Sequence, residues 1–291
     1  MQKRNLAGLV SGLTAASIWG GMYVVSKATL EVVPPFTLLS IRLLLGMLTL
    51  GVVVAARRQA RLSRAQIWAS FWVGAIGYGI SLGFQFVGTK LSTAANGALL
   101  TAATPAFVSI FAPYLLGETL TPRRVAALSL STLGVLAVID PGASSLSPSL
   151  FWGNLALLAA ALTWAIYSVL VRKVTQASDL FALSMVMLAG GIPTSILGSL
   201  VELRTQEIGT ITPGIIGGIL FLGIVSTAIG MALWNYAFAT LPASTAALTF
   251  FAQPVVGACL GWAFLGEDIS QLFLLGGALI GAGLFIASTE Q

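Results

Sequence analysis

The sequence predicts an all-α polytopic membrane protein: ten transmembrane helices, arranged as two inverted five-helix repeats, with both termini cytoplasmic. Three observations predict it. The 291 residues are 57% hydrophobic and 8% charged, contain no histidine and have a mean hydropathy of +0.97. A soluble chain of this length needs a charged surface to stay dispersed. Apolar runs of ~20 residues, the length that crosses a bilayer core, recur along the whole chain. Finally, phrases of the first half return in the second half in the same order.

About ten apolar spans can be read in order, at roughly 8–28, 35–56, 67–87, 93–116, 122–139, 151–171, 179–201, 214–238, 243–265 and 270–288, the fifth being short. The first follows Lys3 and Arg4 and could pass for a signal peptide. It runs on through Trp19, Tyr23 and Lys27 without a small-residue cleavage site, so a retained helix is expected. Pro34-Pro35, Thr121-Pro122, Asp140-Pro141-Gly142 and Thr212-Pro213 punctuate the linkers. No stretch between spans is long enough to fold as a soluble domain. Lipid-exposed backbone must bond to itself, so uninterrupted apolar runs of this length are expected to be helices.

Orientation follows from the basic residues. With the N-terminus inside, Lys3, Arg4, Arg57, Arg58, Arg61, Arg64, Arg123, Arg124, Arg172 and Lys173 all fall at cytoplasmic ends. Only Lys27, Lys90 and Arg204 fall outside.

The repeat divides the chain into 1–143 and 144–291. Gly117-Glu118 is answered by Gly266-Glu267, Trp19 by Trp164, Pro105 by Pro254, and "FQFVGTKLSTAANGALL" (84–100) by "WNYAFATLPASTAALTF" (234–250). After the first Gly-Glu turn come Arg123 and Arg124; after the second come Leu272 and Phe273. An odd number of spans per half turns the second copy upside down, and the loss of its arginines fits a turn that faces outward. The alternative, chance self-matching of apolar sequence, leaves the shared order of Trp, Gly-Glu and Pro unexplained.

With these features in view, "SIWGGMYVVSKATLEVVPPFTLLSIRLLLG" (17–46) and the "LGETLT" turn resemble the drug/metabolite transporter superfamily, EamA-type exporters. The resemblance covers essentially the whole chain, and within the family it is most similar to the YddG-type exporters of aromatic and other amino acids. It implies export of small metabolites through a central cavity between the halves, with the last helix of each half as support.

Polar and aromatic residues at helical spacing are the candidate cavity lining: Tyr78, Ser81 and Gln85 in the third span, and Thr245, Thr249 and Gln253 in the ninth. Trp19, Tyr23 and Ser26 lie in the first span, Trp164, Tyr167 and Ser168 in the sixth, and Trp234 and Asn235 in the eighth. For the hydroxyls the competing reading is helix-helix adhesion, since Ser and Thr can bond back to their own helix. Primary amides need partners or water at depth, which favours lining roles for Gln85, Asn235 and Gln253. Trp19 and Trp164 can face each other across the pseudo-twofold and stack on a planar substrate, or simply pack. Trp68 and Trp152 fall near span ends, with Trp72 one turn deeper, as an interfacial belt requires. Pro105 and Pro254 are expected to kink their spans at matched depths, which suits rocking between two access states.

Arg42 is the one charge well inside a span. Either it meets a substrate carboxylate or a gating partner, or it snorkels to the outer interface beside Lys27 or Glu31. Every acid lies at or near a span end, which disfavours proton-coupled export of lipophilic cations and points to facilitated diffusion by alternating access. A multidrug, nucleoside or sugar exporter with ion coupling is the alternative, as is a channel-like or scaffold protein. Enzyme chemistry is not expected, for want of a His-assisted serine, a metal cluster or paired acids. Cys259 stands alone in an apolar run, so neither a disulfide nor a metal site is expected, and no cofactor is called for. The net charge of +5 is explained by loop orientation rather than nucleic acid. The expected partners are a small-molecule substrate and membrane lipid, for a monomer in the inner (plasma) membrane.

Overall fold

The computed structural model describes residues 2–57, 62–116, 121–139, 147–174, 179–240 and 249–288, and the regular structure among them is helical. In chain order these are α1 (Gln2–Leu30), α2 (Pro35–Arg57), α3 (Arg64–Leu91), α4 (Ala94–Thr101), α5 (Thr104–Leu116), α6 (Pro122–Ile139), α7 (Pro148–Val174) and α8 (Leu180–Glu202). Next come α9 (213–240), a 3₁₀ turn (Thr249–Phe251), α10 (Ala252–Leu265) and α11 (Gln271–Ser288). Local chemistry sets the starts. Proline opens α2, α6, α7 and α9, where its missing N–H costs no helical bond. Ser63 and Gln66 form a capping box on α3, and Thr93, Asp179 and Thr212 cap α4, α8 and α9.

Among the described residues, six stretches are long and apolar enough to cross a membrane: Leu6–Leu30, Pro35–Arg57, Arg64–Leu91, Pro148–Val171, Phe181–Glu202 and Pro213–Trp234. Ala252–Leu265 and Gln271–Gly283 are shorter apolar helices. Leu48, Val52, Leu197, Trp262 and Phe264 are exposed on the outside of the bundle, a surface fit for lipid rather than water. The chain is an integral, polytopic membrane protein.

Several spans depart from simple helices. α3 and α9 each widen to a π-helical segment in mid-course, at Ala75–Ser81 and Phe221–Ile229. The fourth span, expected to be continuous, breaks at Ala102–Ala103 between α4 and α5. Pro105 is therefore the second residue of a new helix instead of a kink within an old one. Pro254 likewise follows the 3₁₀ turn as the third residue of α10. The physical reason is shared: proline has no N–H to donate to a preceding turn, a lack that costs nothing in the first turn of a helix. Gly117-Glu118 and the first part of the ninth span, including Thr245, lie outside the described residues.

The main packings join the two halves of the chain. α1 lies on α9 and α10, and α7 correspondingly lies on α3, α4 and α5. α2 pairs with α8, and α6 runs along α11. Glycine allows the closest of these approaches. A side chain on Gly74 or Gly190 would strike backbone carbonyls of Met187 and Phe71 across the α3–α8 contact, and Gly134 faces the Gly276 carbonyl between α6 and α11.

Two acids tie helix ends across the same division. Glu202, at the end of α8, accepts from the backbone of Phe36 (3.1 Å) and Thr37 (2.5 Å) at the start of α2. Glu267, just past α10, accepts from Ala94 N (2.5 Å) and Ala95 N (2.9 Å) at the start of α4. Each carboxylate satisfies orphan amides and meets the positive end of a helix dipole. Gly266 makes the turn before Glu267 at φ 65°, a conformation that favours glycine.

Candidate functional site

Where these helices converge, side chains from both halves line a cavity of about 50 Å³. That is room for a few waters, and far less than the ~300 Å³ of the smaller ligand pockets. Its lining includes Trp19, Met22 and Tyr23 from α1, Arg42 from α2, and Tyr78, Ser81 and Gln85 from α3. Thr101, Thr104, Trp164, Thr227, Met231, Phe250 and Gln253 complete most of the rest.

Arg42 settles inward. It is only 4% exposed, so it does not snorkel to an interface. Lys27, suggested as its helper there, instead donates to the carbonyls of Lys90 and Ser92. Arg42 Nε donates to Thr227 Oγ1 (2.8 Å) and Nη2 to Ser226 Oγ (3.2 Å). The guanidinium carbon stands 5.4 Å from the Phe86 ring centroid, within cation–π range. Nη1 is buried without a hydrogen-bond partner.

The π-helical segment of α9 is what presents those two acceptors. In it the Gly230 N–H goes to the carbonyls of Val225 and Thr227, bypassing Ser226. The Ser226 carbonyl takes the Trp19 indole N–H at 2.9 Å, so the widened turn also fixes Trp19.

A second polar knot lies around Thr101. Its hydroxyl bonds the Gly97 carbonyl (2.7 Å) and also meets Tyr23 OH (2.6 Å) and Gln253 Nε2 (2.8 Å). Gln253 Nε2 also reaches the Ala98 carbonyl at 3.2 Å. With the Thr101 proton given to Gly97, the oxygen accepts from the other two, which uses its full capacity. Gln85 has a weaker tie, Nε2 to Met22 Sδ at 3.8 Å, and Ser81 donates to the Ala160 carbonyl at 2.8 Å.

The aromatic residues form two groups. Trp19 lies 5.1 Å from Trp234 and 6.0 Å from Phe250, ring centroid to centroid. Trp164 lies 4.6 Å from Tyr167 and 5.9 Å from Tyr78, and Tyr167 OH donates to Tyr78 OH at 3.2 Å. Trp19 and Trp164 thus both reach the cavity, each held in its own group.

Among the candidates from sequence, Trp19, Tyr23, Arg42, Tyr78, Ser81, Gln85, Trp164 and Gln253 line the cavity. Tyr167 and Trp234 stand behind the lining as aromatic support. Ser168 bonds back to the Trp164 carbonyl (2.8 Å), the adhesive role weighed for it. Thr249 is buried against Gly12 of α1 rather than on the lining. The side chains of Asn235 and Pro105 lie outside the described residues. Sequence reasoning missed Thr101, Thr227 and Phe250. The repeat register was the available signal, since it sets Thr227 within one residue of the position answering Tyr78.

A more open groove near the C-terminal end of α3 is lined by Phe36, Val87, Leu91, Leu197 and Val201. It is mostly apolar, and the polar residues on it bond to other groups of the protein: Lys90 donates to Gln206 Oε1 (2.9 Å) and Glu202 accepts from the start of α2.

The EamA-like transporter family matches residues 6–139 and again 151–289. A probable amino-acid metabolite efflux pump of Salmonella typhimurium is 28% identical over 287 residues, covering 94% of this chain and 92% of its own. A protein of the same description from Escherichia coli is 26% identical, covering 95% and 93%. An uncharacterized transporter of Archaeoglobus fulgidus is 25% identical, with 94% of each chain covered. A solved crystal structure at 22% identity superposes with a TM-score of 0.68 over 96% of both chains, a likeness of fold alone.

Proposed function

The chain belongs to the EamA-like transporter family, and on that premise we propose that it exports small metabolites, amino acids including aromatic ones, from the cytoplasm across the inner (plasma) membrane. The observation that carries this reading is the cavity between the halves, lined by Arg42, whose Nη1 is buried and unpartnered, and by rings of two aromatic groups. An Arg terminus suits a carboxylate and the rings suit an apolar or planar body. Two relatives described as amino-acid metabolite efflux pumps point the same way.

The architecture of the proposal is ten helices in two inverted repeats, 1–143 and 144–291, acting as a monomer with both termini cytoplasmic. The double family match, the paired π-helical segments and the mirrored packings support the two-repeat division. A cavity too small for a solute, walled by both repeats, fits a state between two access states, and transport then requires the aromatic groups to part. The substrate moves by uniport, through a carrier rather than an enzyme.

The test is counterflow in proteoliposomes over a panel of amino acids, nucleosides and organic cations. Saturable counterflow of aromatic amino acids or their relatives is the expected result. Flux that rises linearly without counterflow identifies a channel instead. Topology is checked in a Cys259→Ala background, where Ser145→Cys should react with an impermeant thiol reagent added outside and Gln59→Cys should not.

A further inference from the structure

The net charge of the transported solute can be argued from the lining. Among the described residues, Arg42 is its one charged residue, and no carboxylate is among the lining side chains. Its Nε and Nη2 are held by neutral hydroxyls, and Nη1 is buried without a partner. A guanidinium keeps its proton in such a place, so the cavity carries a positive charge that no lining carboxylate neutralises.

The remaining polar groups are poorly disposed to receive a second cation. Thr227 Oγ1 accepts from Arg42, and Thr101 Oγ1 is filled by Tyr23 and Gln253. An α-ammonium entering here finds amide and hydroxyl dipoles and ring faces but no carboxylate, while Arg42 repels it. A carboxylate finds the free N–H of Arg42 and neutralises its charge. Burial penalises net charge most where water is excluded, so the complex with a monoanion is neutral, that with a zwitterion keeps one positive charge and that with an amine has two.

We infer, resting on the carrier reading above, that this site selects a net monoanion: one carboxylate, placed on Arg42 Nη1, attached to an apolar ring-bearing body without a free ammonium. The solute class is thus a deaminated or N-blocked aromatic acid in preference to the zwitterionic amino acid itself. The rings of Trp19 and Phe250 on one side, and of Tyr78 and Trp164 on the other, provide for that body.

The experiment uses the full chain and three probes that share one skeleton: phenylpropionate, phenylalanine and phenylethylamine. Binding near neutral pH is read from quenching of intrinsic tryptophan fluorescence, and transport from counterflow against protein-free vesicles, which corrects for leakage of the protonated acid. Phenylpropionate should bind at least ~tenfold more tightly than phenylalanine, and phenylethylamine should not compete. Gln85→Glu supplies the missing acid and should move the preference toward phenylalanine. Equal or tighter binding of phenylalanine or phenylethylamine by the parent protein overturns the inference, even if the variant fails to fold. Saturable counterflow of phenylalanine with no response to phenylpropionate overturns it while leaving the carrier reading intact. Absence of saturable counterflow for all three probes and for the wider panel removes both.

Discussion

At Arg42 one side chain joins the two halves, through Thr227 and Ser226 of α9, while its Nη1 stays buried without a partner. Its charge in mid-span was legible in the sequence; its direction was not, because a long stem reaches either an interface or a core. Trp19, Tyr78, Gln85, Trp164 and Gln253 were legible as lining because bulky amphipathic or amide groups are conspicuous in apolar spans. Threonine is ambiguous by its chemistry. Thr101 and Thr227 line the cavity while Thr249 packs on Gly12, and each can satisfy its hydroxyl locally. At this scale the cavity rings are expected to matter and the belt rings are not. Trp164→Ala and Tyr78→Ala each remove a ring contact from the lining and should lower counterflow by about three- to tenfold, the range that one aromatic pair spans. Trp68, 61% exposed, packs only on Phe71 among the aromatic contacts, and Trp68→Ala should transport like the parent. Equal flux in all three variants refutes the lining roles.

At the level of elements, the second Gly-Glu turn shows what its acid does. Glu267 is half-buried beside Gly261, where a side chain would press on the carboxylate, and it caps α4 from the other half of the chain. The repeat of Gly-Glu was plain in the sequence, but its target lies 172 and 173 residues away and no local pattern points to it. The π-helical segments were hidden for a different reason. Glycine-rich apolar sequence suits an α or a π turn equally, so no local pattern announces the widened turn. Glu267→Ala should lower the thermal stability of the purified protein by about 1–2 kcal/mol, the loss of a cap that serves two amides. Asp268→Ala, at an exposed neighbouring position, is the control and should leave the melting curve in place. A Glu267 variant as stable as the control shows that water replaces the cap without cost.

Across the whole molecule, span lengths and their order were legible because the bilayer demands them, and the packing partners were not, since lipid-facing and protein-facing apolar residues look alike in sequence. The structure supplies those partners, and with them the location of every described acid. Glu202 and Glu267 are committed to helix N-termini, and Glu31, Asp179, Glu207 and Asp268 lie between or at the ends of helices. The chain has no histidine, and Arg42 does not exchange its proton. No described group in the cavity therefore offers a proton site near neutral pH. Sodium is less firmly opposed, because carbonyls at the α4–α5 break and in the π-helical segments are the kind of ligand that holds it in transporters with broken helices. The expected outcome is efflux down the solute's own gradient, at a rate indifferent to an imposed pH or sodium gradient once the membrane potential is clamped at zero. Proteoliposomes loaded with a labelled solute measure it directly. The clamp matters because moving a net anion carries charge, so voltage alone should bias the flux of phenylpropionate and leave that of phenylalanine unchanged. Uphill accumulation driven by either ion gradient places a coupling site in the chain and overturns uniport.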